Sequence, residues 1–132
     1  MEQEQQELMF KLAMYEQQIR QFQQQLQAIE EGIIDMQTLN LELDELKGSN
    51  GKEILAQIGK GIFVRSKIIS EDLVVGIGSK NFVKKNITET KKTISEQIEK
   101  LEDIKKELNV GLEKISEEIT KTINETENTK NK

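Results

Sequence analysis

The sequence predicts an α+β chain in which two long helices pair as an antiparallel coiled coil and two β-hairpins are inserted at the bend. Three observations predict it. Apolar residues recur at steps of three and four through the first third, at Leu8, Leu12, Tyr15, Ile19, Phe22, Leu26, Ile29, Ile33, Met36 and Leu43. The same steps return in the last third, at Ile94, Ile98, Leu101, Leu108, Leu112, Ile115 and Ile119. Between them lies a β-rich stretch broken by glycines. The 132 residues read as one domain, with a first helix in 1–47, two hairpins in 48–86 and a second helix in 87–132.

With Leu12 at heptad position a, Tyr15 is d, Ile19 a, Phe22 d, Leu26 a, Ile29 d, Ile33 a and Met36 d. This alternation specifies a left-handed coiled coil. In the second helix Ile94 is d, Ile98 a, Leu101 d, Leu108 d, Leu112 a, Ile115 d and Ile119 a, and Lys105 takes the skipped a position. An antiparallel hairpin sets a against d. Met36 then faces Ile98, Ile33 faces Leu101, Ile29 faces Lys105, Leu26 faces Leu108, Phe22 faces Leu112, Ile19 faces Ile115 and Tyr15 faces Ile119. Lys105 lays its alkyl stem on the seam and lifts its ammonium to water. Asn40, at a and opposite Ile94, has two readings. It fixes the register, or it marks a loosening where Leu39, Leu41 and Leu46 turn toward the β segments; the second is favoured. Gly32 and Gly111 sit beside the seam at g, each costing about 1 kcal/mol in a helix interior. Asn86, with Glu89 three residues on, is placed to cap the second helix near Ile87.

The cluster Lys47-Gly48-Ser49-Asn50-Gly51 ends the first helix. Four short β segments follow, Ile54–Ile58, Ile62–Ile68, Leu73–Ile77 and Phe82–Lys85. Turns at Gly59-Lys60-Gly61 and Gly78-Ser79-Lys80-Asn81 make them two hairpins. Ile62, Val64 and Ile68 share one face of the second segment, as Leu73, Val75 and Ile77 do in the third; Phe63, Val74 and Val83 are read onto the opposite face. Isolated hairpins are marginal in water, and their free edges invite pairing. Joining other copies or homologous chains in a shared sheet or barrel resolves both problems. Ile54, Leu55, Ile58, Ile62, Phe63, Val64, Leu73, Val75, Ile77 and Phe82 are the expected interface.

Composition narrows the function classes. Charged residues are 33% and hydrophobic residues 35%, a balance suited to a narrow seam. No proline interrupts the helices. The net charge of −5 argues against nucleic acid. It is unevenly spread: residues 1–47 hold ten acids and three bases, 48–86 three acids and seven bases, 87–132 eleven acids and nine bases. Acidic arms attract basic partner surfaces, or simply keep the chain in solution. The absence of cysteine and histidine removes disulfides, thiolate metal sites and histidine base catalysis. The polar start from Met1 to Gln6 is unlike a signal peptide, and no apolar run nears the roughly 20 residues that span a bilayer. A soluble cytoplasmic protein without membrane contact is expected. Gly76-Ile77-Gly78-Ser79-Lys80 lacks the glycine spacing of a phosphate loop and reads as a turn. Glu30-Glu31, Glu71-Asp72 and Glu117-Glu118 read as solvated charge. No catalytic residue, metal site or cofactor is expected.

The order long helix, two hairpins, long helix resembles an alpha-class prefoldin subunit. The specific part is the block from Ile54-Leu55-Ala56-Gln57-Ile58-Gly59-Lys60-Gly61 through Ile62-Phe63-Val64-Arg65-Ser66-Lys67-Ile68. With it go Leu73-Val74-Val75-Gly76-Ile77-Gly78 and Phe82-Val83-Lys84-Lys85. Two hairpins rather than one point to the alpha class, and Met14-Tyr15-Glu16-Gln17-Gln18 fits the family's style. The resemblance spans nearly the whole chain. It implies a hexamer of two alpha and four beta-class subunits, with a β-barrel body bearing coiled-coil tentacles. It further implies a chaperone that needs no nucleotide, holds unfolded client proteins between the tentacle tips and delivers them to a group II chaperonin. The Lys-, Ile- and Asn-rich composition favours an archaeal source.

On that basis the expected client-binding residues are Leu8, Met9, Phe10, Leu12, Ala13, Met14, Ile119 and Ile123. Met9 falls at e, Phe10 at f, Ala13 at b and Met14 at c, and a phenylalanine at f has no partner helix in a two-helix hairpin. Exposed apolar clusters mark contact sites, and methionine adapts to varied surfaces. Leu12 faces Thr122 and Leu8 faces Thr126, pairs that pack less well and let the seam open. Glu2, Glu4, Glu7, Glu125 and Glu127 are candidates for steering a chaperonin. The alternative is a structural coiled-coil tether or filament-forming assembly protein.

Overall fold

The computed structural model describes residues 2–130, with side chains described as far as Glu127. The elements are α1 (Glu2–Leu46), β1 (Glu53–Gly59), β2 (Ile62–Lys67), β3 (Leu73–Gly78), β4 (Asn81–Lys85) and α2 (Ile87–Lys130). They form two compact units, residues 1–33 with 100–132, and residues 34–99.

The first unit is helix against helix. Burial along α1 recurs at Leu8, Leu12, Tyr15, Ile19, Phe22, Leu26, Ile29 and Ile33, with exposed residues between. Along α2 it recurs at Leu101, Lys105, Leu108, Leu112, Ile115, Ile119, Thr122 and Thr126. These are the a and d positions. Ile33, Leu108 and Ile115 are the most deeply buried. Gly32 lies against Leu101 and Gly111 against Phe22, so rising numbers in α1 meet falling numbers in α2. The pairing is antiparallel, and its register is that of the predicted facing pairs.

The second unit joins residues 34–46 of α1 and 87–99 of α2 to the hairpins. Leu43, Ile87 and Ile94 form a buried cluster, with Met36, Leu46, Leu73 and Ile98 packed on it. Leu73 is the first residue of β3, so the second hairpin is anchored on the helix pair. Gly48, at φ 72°, ends α1 in the left-handed conformation that glycine adopts without strain. Its N–H donates to the carboxylate of Glu71, tying the inter-hairpin loop to the helix end. Ser49 is buried beneath this junction. Asn86 Oδ1 accepts from Glu89 N–H at 2.7 Å and caps α2.

Each hairpin is a separate two-stranded antiparallel sheet. Both carry an irregularity just before the turn, between Gln57 and Gly59 and between Gly76 and Gly78. Ile58 and Ile77 are therefore equivalent bulge residues; β1, β3 and β4 run slightly past the predicted limits, whereas β2 ends at Lys67, one residue short of the predicted Ile68. The second turn holds Ser79 at φ 50° and Lys80 at φ 62°, the signature of a type I′ hairpin rather than a phosphate loop.

Two expectations are corrected. Val75 pairs directly with Val83, so these two share a face; Val83 does not lie opposite. Period-two reading within one strand says nothing of the neighbour's phase when a bulge intervenes. The seam also does not loosen at Asn40. Leu46 turns inward, but Leu39 and Leu41 are exposed. Asn40 stays half-buried on the seam with Nδ2 3.4 Å from Ser95 Oγ, and its Oδ1 is buried without a partner among the described residues. Leu43 resumes the stripe at d.

Candidate functional site

Heptad geometry determines which side chains face water at the start of α1. Leu8 and Leu12 are half-buried on the seam, whereas Met9 and Phe10 are 70% and 68% exposed. Ala13 and Met14 are exposed beside them. On α2, Ile119 is half-buried at the seam and Ile123 is exposed. An uninterrupted helix over Glu2–Leu46 places Phe10 and Met14 four residues apart, one above the other, with Ala13 alongside. The result is an apolar surface of flexible side chains with no hydrogen-bonding chemistry of its own.

The same end of the helix pair carries a cleft on the seam. Leu8, Lys11, Thr122 and Thr126 line a cleft of about 230 Å³ together with Glu4, Glu7 and Glu125. Thr126 Oγ1 donates to the Thr122 carbonyl at 2.9 Å, so that hydroxyl is satisfied within its own helix. The short threonine side chains leave room that a leucine would fill. Glu4, Glu7 and Glu125 share this cleft with Lys11, so its charge is mixed.

Further along the shaft, polar contacts reinforce the register. Lys105 is half-buried with its Nζ 3.7 Å from Glu30 Oε1, so its ammonium leaves the seam toward an acid as well as toward water. In the second unit, Asp44 is paired with Lys91 across the helices and with Lys47 just past the end of its own helix. The hydrogen bond from Lys91 holds the Asp44 carboxyl below its usual value; desolvation opposes it, and the charges of Lys91 and Lys47 assist.

The hairpins present the second candidate surface. Ile54, Leu55, Ile58, Ile62, Phe63, Val64, Ile77 and Phe82 are exposed, while Leu73 and Val75 are half-buried, Leu73 against the chain's own helices. Val74 and Ile69, absent from the predicted interface, are exposed as well. The alternation along β3 already placed Val74 opposite Leu73; Ile69, in a loop, had no periodic signal. Among the described residues no His, Cys, Asp or Glu cluster could hold a metal ion, and no helix is long and apolar enough to cross a membrane.

Comparison with known proteins agrees with this architecture. The family model described as prefoldin subunit matches residues 15–132. Prefoldin subunit alpha of Methanosphaera stadtmanae is 34% identical over 71 residues, 54% of this chain and 51% of that protein, so this match spans about half of each. Prefoldin subunit alpha of Methanobrevibacter smithii is 29% identical over 112 residues, 84% of this chain and 77% of that one. Among solved structures, a filamentous prefoldin from Methanocaldococcus jannaschii, seen by cryo-EM, superposes with a TM-score of 0.78 at 22% identity, covering 87% of this chain and 97% of that one. The chain therefore belongs to the prefoldin family, a family of chaperones rather than enzymes. Within it, the paired hairpins and the named relatives mark an alpha-class subunit.

Proposed function

We propose that this chain is the alpha subunit of a cytoplasmic hexamer of two alpha and four beta-class chains that captures unfolded proteins and hands them to a group II chaperonin without nucleotide. The observation that carries the reading is the exposure of Met9 and Phe10, at 70% and 68%, near the start of α1. Water-exposed apolar side chains gain by meeting the apolar segments of a non-native chain, and the association is non-directional, as binding many clients requires. Partial opening of the Leu8–Thr126 and Leu12–Thr122 layers exposes more of the same surface. Hand-off then needs weak, rapidly exchanging contacts, which a small flexible patch supplies.

Site-specific photo-crosslinking tests the reading. A photoreactive residue at Phe10 in the assembled chaperone is expected to trap an unfolded client, while one at Val110, exposed on the side of the shaft, traps little. Equal trapping at both positions contradicts capture at the tips.

The second reading is an open-ended assembly. It is favoured by the open edges of the two hairpins and by the filamentous state of the M. jannaschii structure. Mixing the chain with a one-hairpin partner and measuring mass separates the two: a closed hexamer supports the chaperone, a ladder of masses supports the filament.

A further inference from the structure

The segment that ends α1 also holds the link between the two hairpins. The hairpins are separate sheets, joined through residues 68–72. Ile68 N–H donates to the Lys52 carbonyl at 3.0 Å, and Gly51 N–H donates to the Ile68 carbonyl at 2.6 Å. With its amide nitrogen turned toward the link, Asn50 donates to the Ile68 carbonyl at 3.1 Å and to the Ile69 carbonyl at 3.0 Å. Gly48 N–H donates to the Glu71 carboxylate. These bonds close one junction, and Asn50 and Gly51 supply the donors at its centre.

Asn50 is also the one asparagine in the chain that is followed by glycine. That pair carries its own chemistry. The Gly51 backbone nitrogen, once deprotonated, attacks Cγ of Asn50. An N–Cγ bond forms and the Cγ–Nδ2 bond breaks. The departing amide takes up a proton in place of the one the backbone nitrogen lost, and leaves as ammonia. Water then opens the cyclic imide at either carbonyl, giving aspartate or isoaspartate. Asn50 is exposed, so water reaches it, and nothing lies within 4 Å of where a Cβ at Gly51 would be, so the approach is unhindered. The closed junction engages both reacting groups. The Gly51 N–H is held by the Ile68 carbonyl and gives up its proton less readily, while the Asn50 amide is bound to that same carbonyl. A carboxylate in place of the amide accepts and does not donate. It would set its oxygen against the carbonyl oxygens of Ile68 and Ile69.

We propose that Asn50-Gly51 is a deamidation site gated by this junction: protected while the junction is closed, reactive when it opens, and unable to close again once converted. Each hairpin keeps its own strand ladder, so the loss falls on the link between them. Glu71 belongs to the gate, because its carboxylate holds the N–H of Gly48, two residues before Asn50.

The test follows the full chain at mildly alkaline pH by peptide mass mapping, native and in denaturant, with Asn81 and Asn109 as internal references. In denaturant Asn50 is expected to convert fastest of the three. In the native chain its conversion is expected to slow by about tenfold or more, because it must await local opening. Glu71→Ala leaves Asn50 and Gly51 in place and is expected to raise the native rate several-fold, with circular dichroism checking that helix content is kept. Asn50→Asp, made directly, is expected to speed hydrogen exchange at Gly51 and Ile68 by about tenfold. Asn50→Ala removes the donors without adding a carboxylate and is expected to speed it less. Asn50 converting no faster than Asn109 in denaturant overturns the site. Equal rates in native and denatured chains, or an unchanged native rate in Glu71→Ala, overturn the gate. Exchange in Asn50→Asp that matches wild type or Asn50→Ala overturns the failure to close.

Discussion

The ring of Phe22 rests on the backbone of Gly111, so that a methyl group added at residue 111 would lie 3.3 Å from Phe22 Cζ. At Gly32, which holds the equivalent g position in the other helix, the nearest atom to such a methyl is Leu101 Cδ1 at 3.7 Å. The two glycines are alike in sequence position and differ in the space above them. Helix propensity favours alanine at both by about 1 kcal/mol. Gly32→Ala is expected to realise most of that gain in chemical denaturation. Gly111→Ala is expected to realise little of it, because the ring must shift. Equal gains at the two sites contradict the packing described.

The Asp44–Lys91 pair gives stability a defined pH dependence. The folded carboxyl titrates below the ordinary value of 3.8, so its contribution is complete above that value and is lost as pH falls through the lower, folded value. Asp44→Asn is expected to be less stable than wild type at neutral pH. The difference should shrink as pH drops below the usual carboxylate range. Parallel stability curves across that range count against the pair.

The cap on α2 rests on one side chain. Asn86→Ala leaves the Glu89 N–H without its acceptor and is expected to cost about 1 kcal/mol. Asn86→Ser should recover most of the loss, and thermal denaturation of the two variants measures it.

The second hairpin turn holds Lys80 in the left-handed region at φ 62°, where a side chain is strained and glycine is not. Lys80→Gly is expected to stabilise the chain by about 1 kcal/mol. A loss of stability on this change contradicts the type I′ geometry.

Much of the helical pairing was legible because the seam repeats: each a or d residue constrains the next, and Phe22, Leu26 and Ile29 on one side require a matching run on the other. The same repetition carried the pattern across Asn40, where a local reading of Leu39 and Leu41 expected a break. Those two leucines are exposed because their heptad phase puts them off the seam, whatever their hydrophobicity. In the hairpins, strand existence and turns were legible from glycine spacing, but the bulges at Ile58 and Ile77 were not, so the face of Val83 was misassigned. The anchoring of Leu73 on Leu43, Ile87 and Ile94, and the bond from Gly48 to Glu71, join residues far apart in sequence with no periodic relation. At the tip, the off-seam placement of Met9, Phe10 and Met14 followed from the heptad alone. The cleft lined by Leu8, Thr122 and Thr126 depends on how the two helices pack, which only the packed helices reveal.

Suppression of client aggregation by the intact assembly, with and without Met9→Ser, Phe10→Ser and Met14→Ser together, tests capture at the tip most directly. All three side chains are exposed, so the assembly is expected to keep its mass and helix content. The account predicts that the triple variant loses most of its ability to hold the client in solution. Suppression equal to wild type from an assembly of unchanged mass would contradict it.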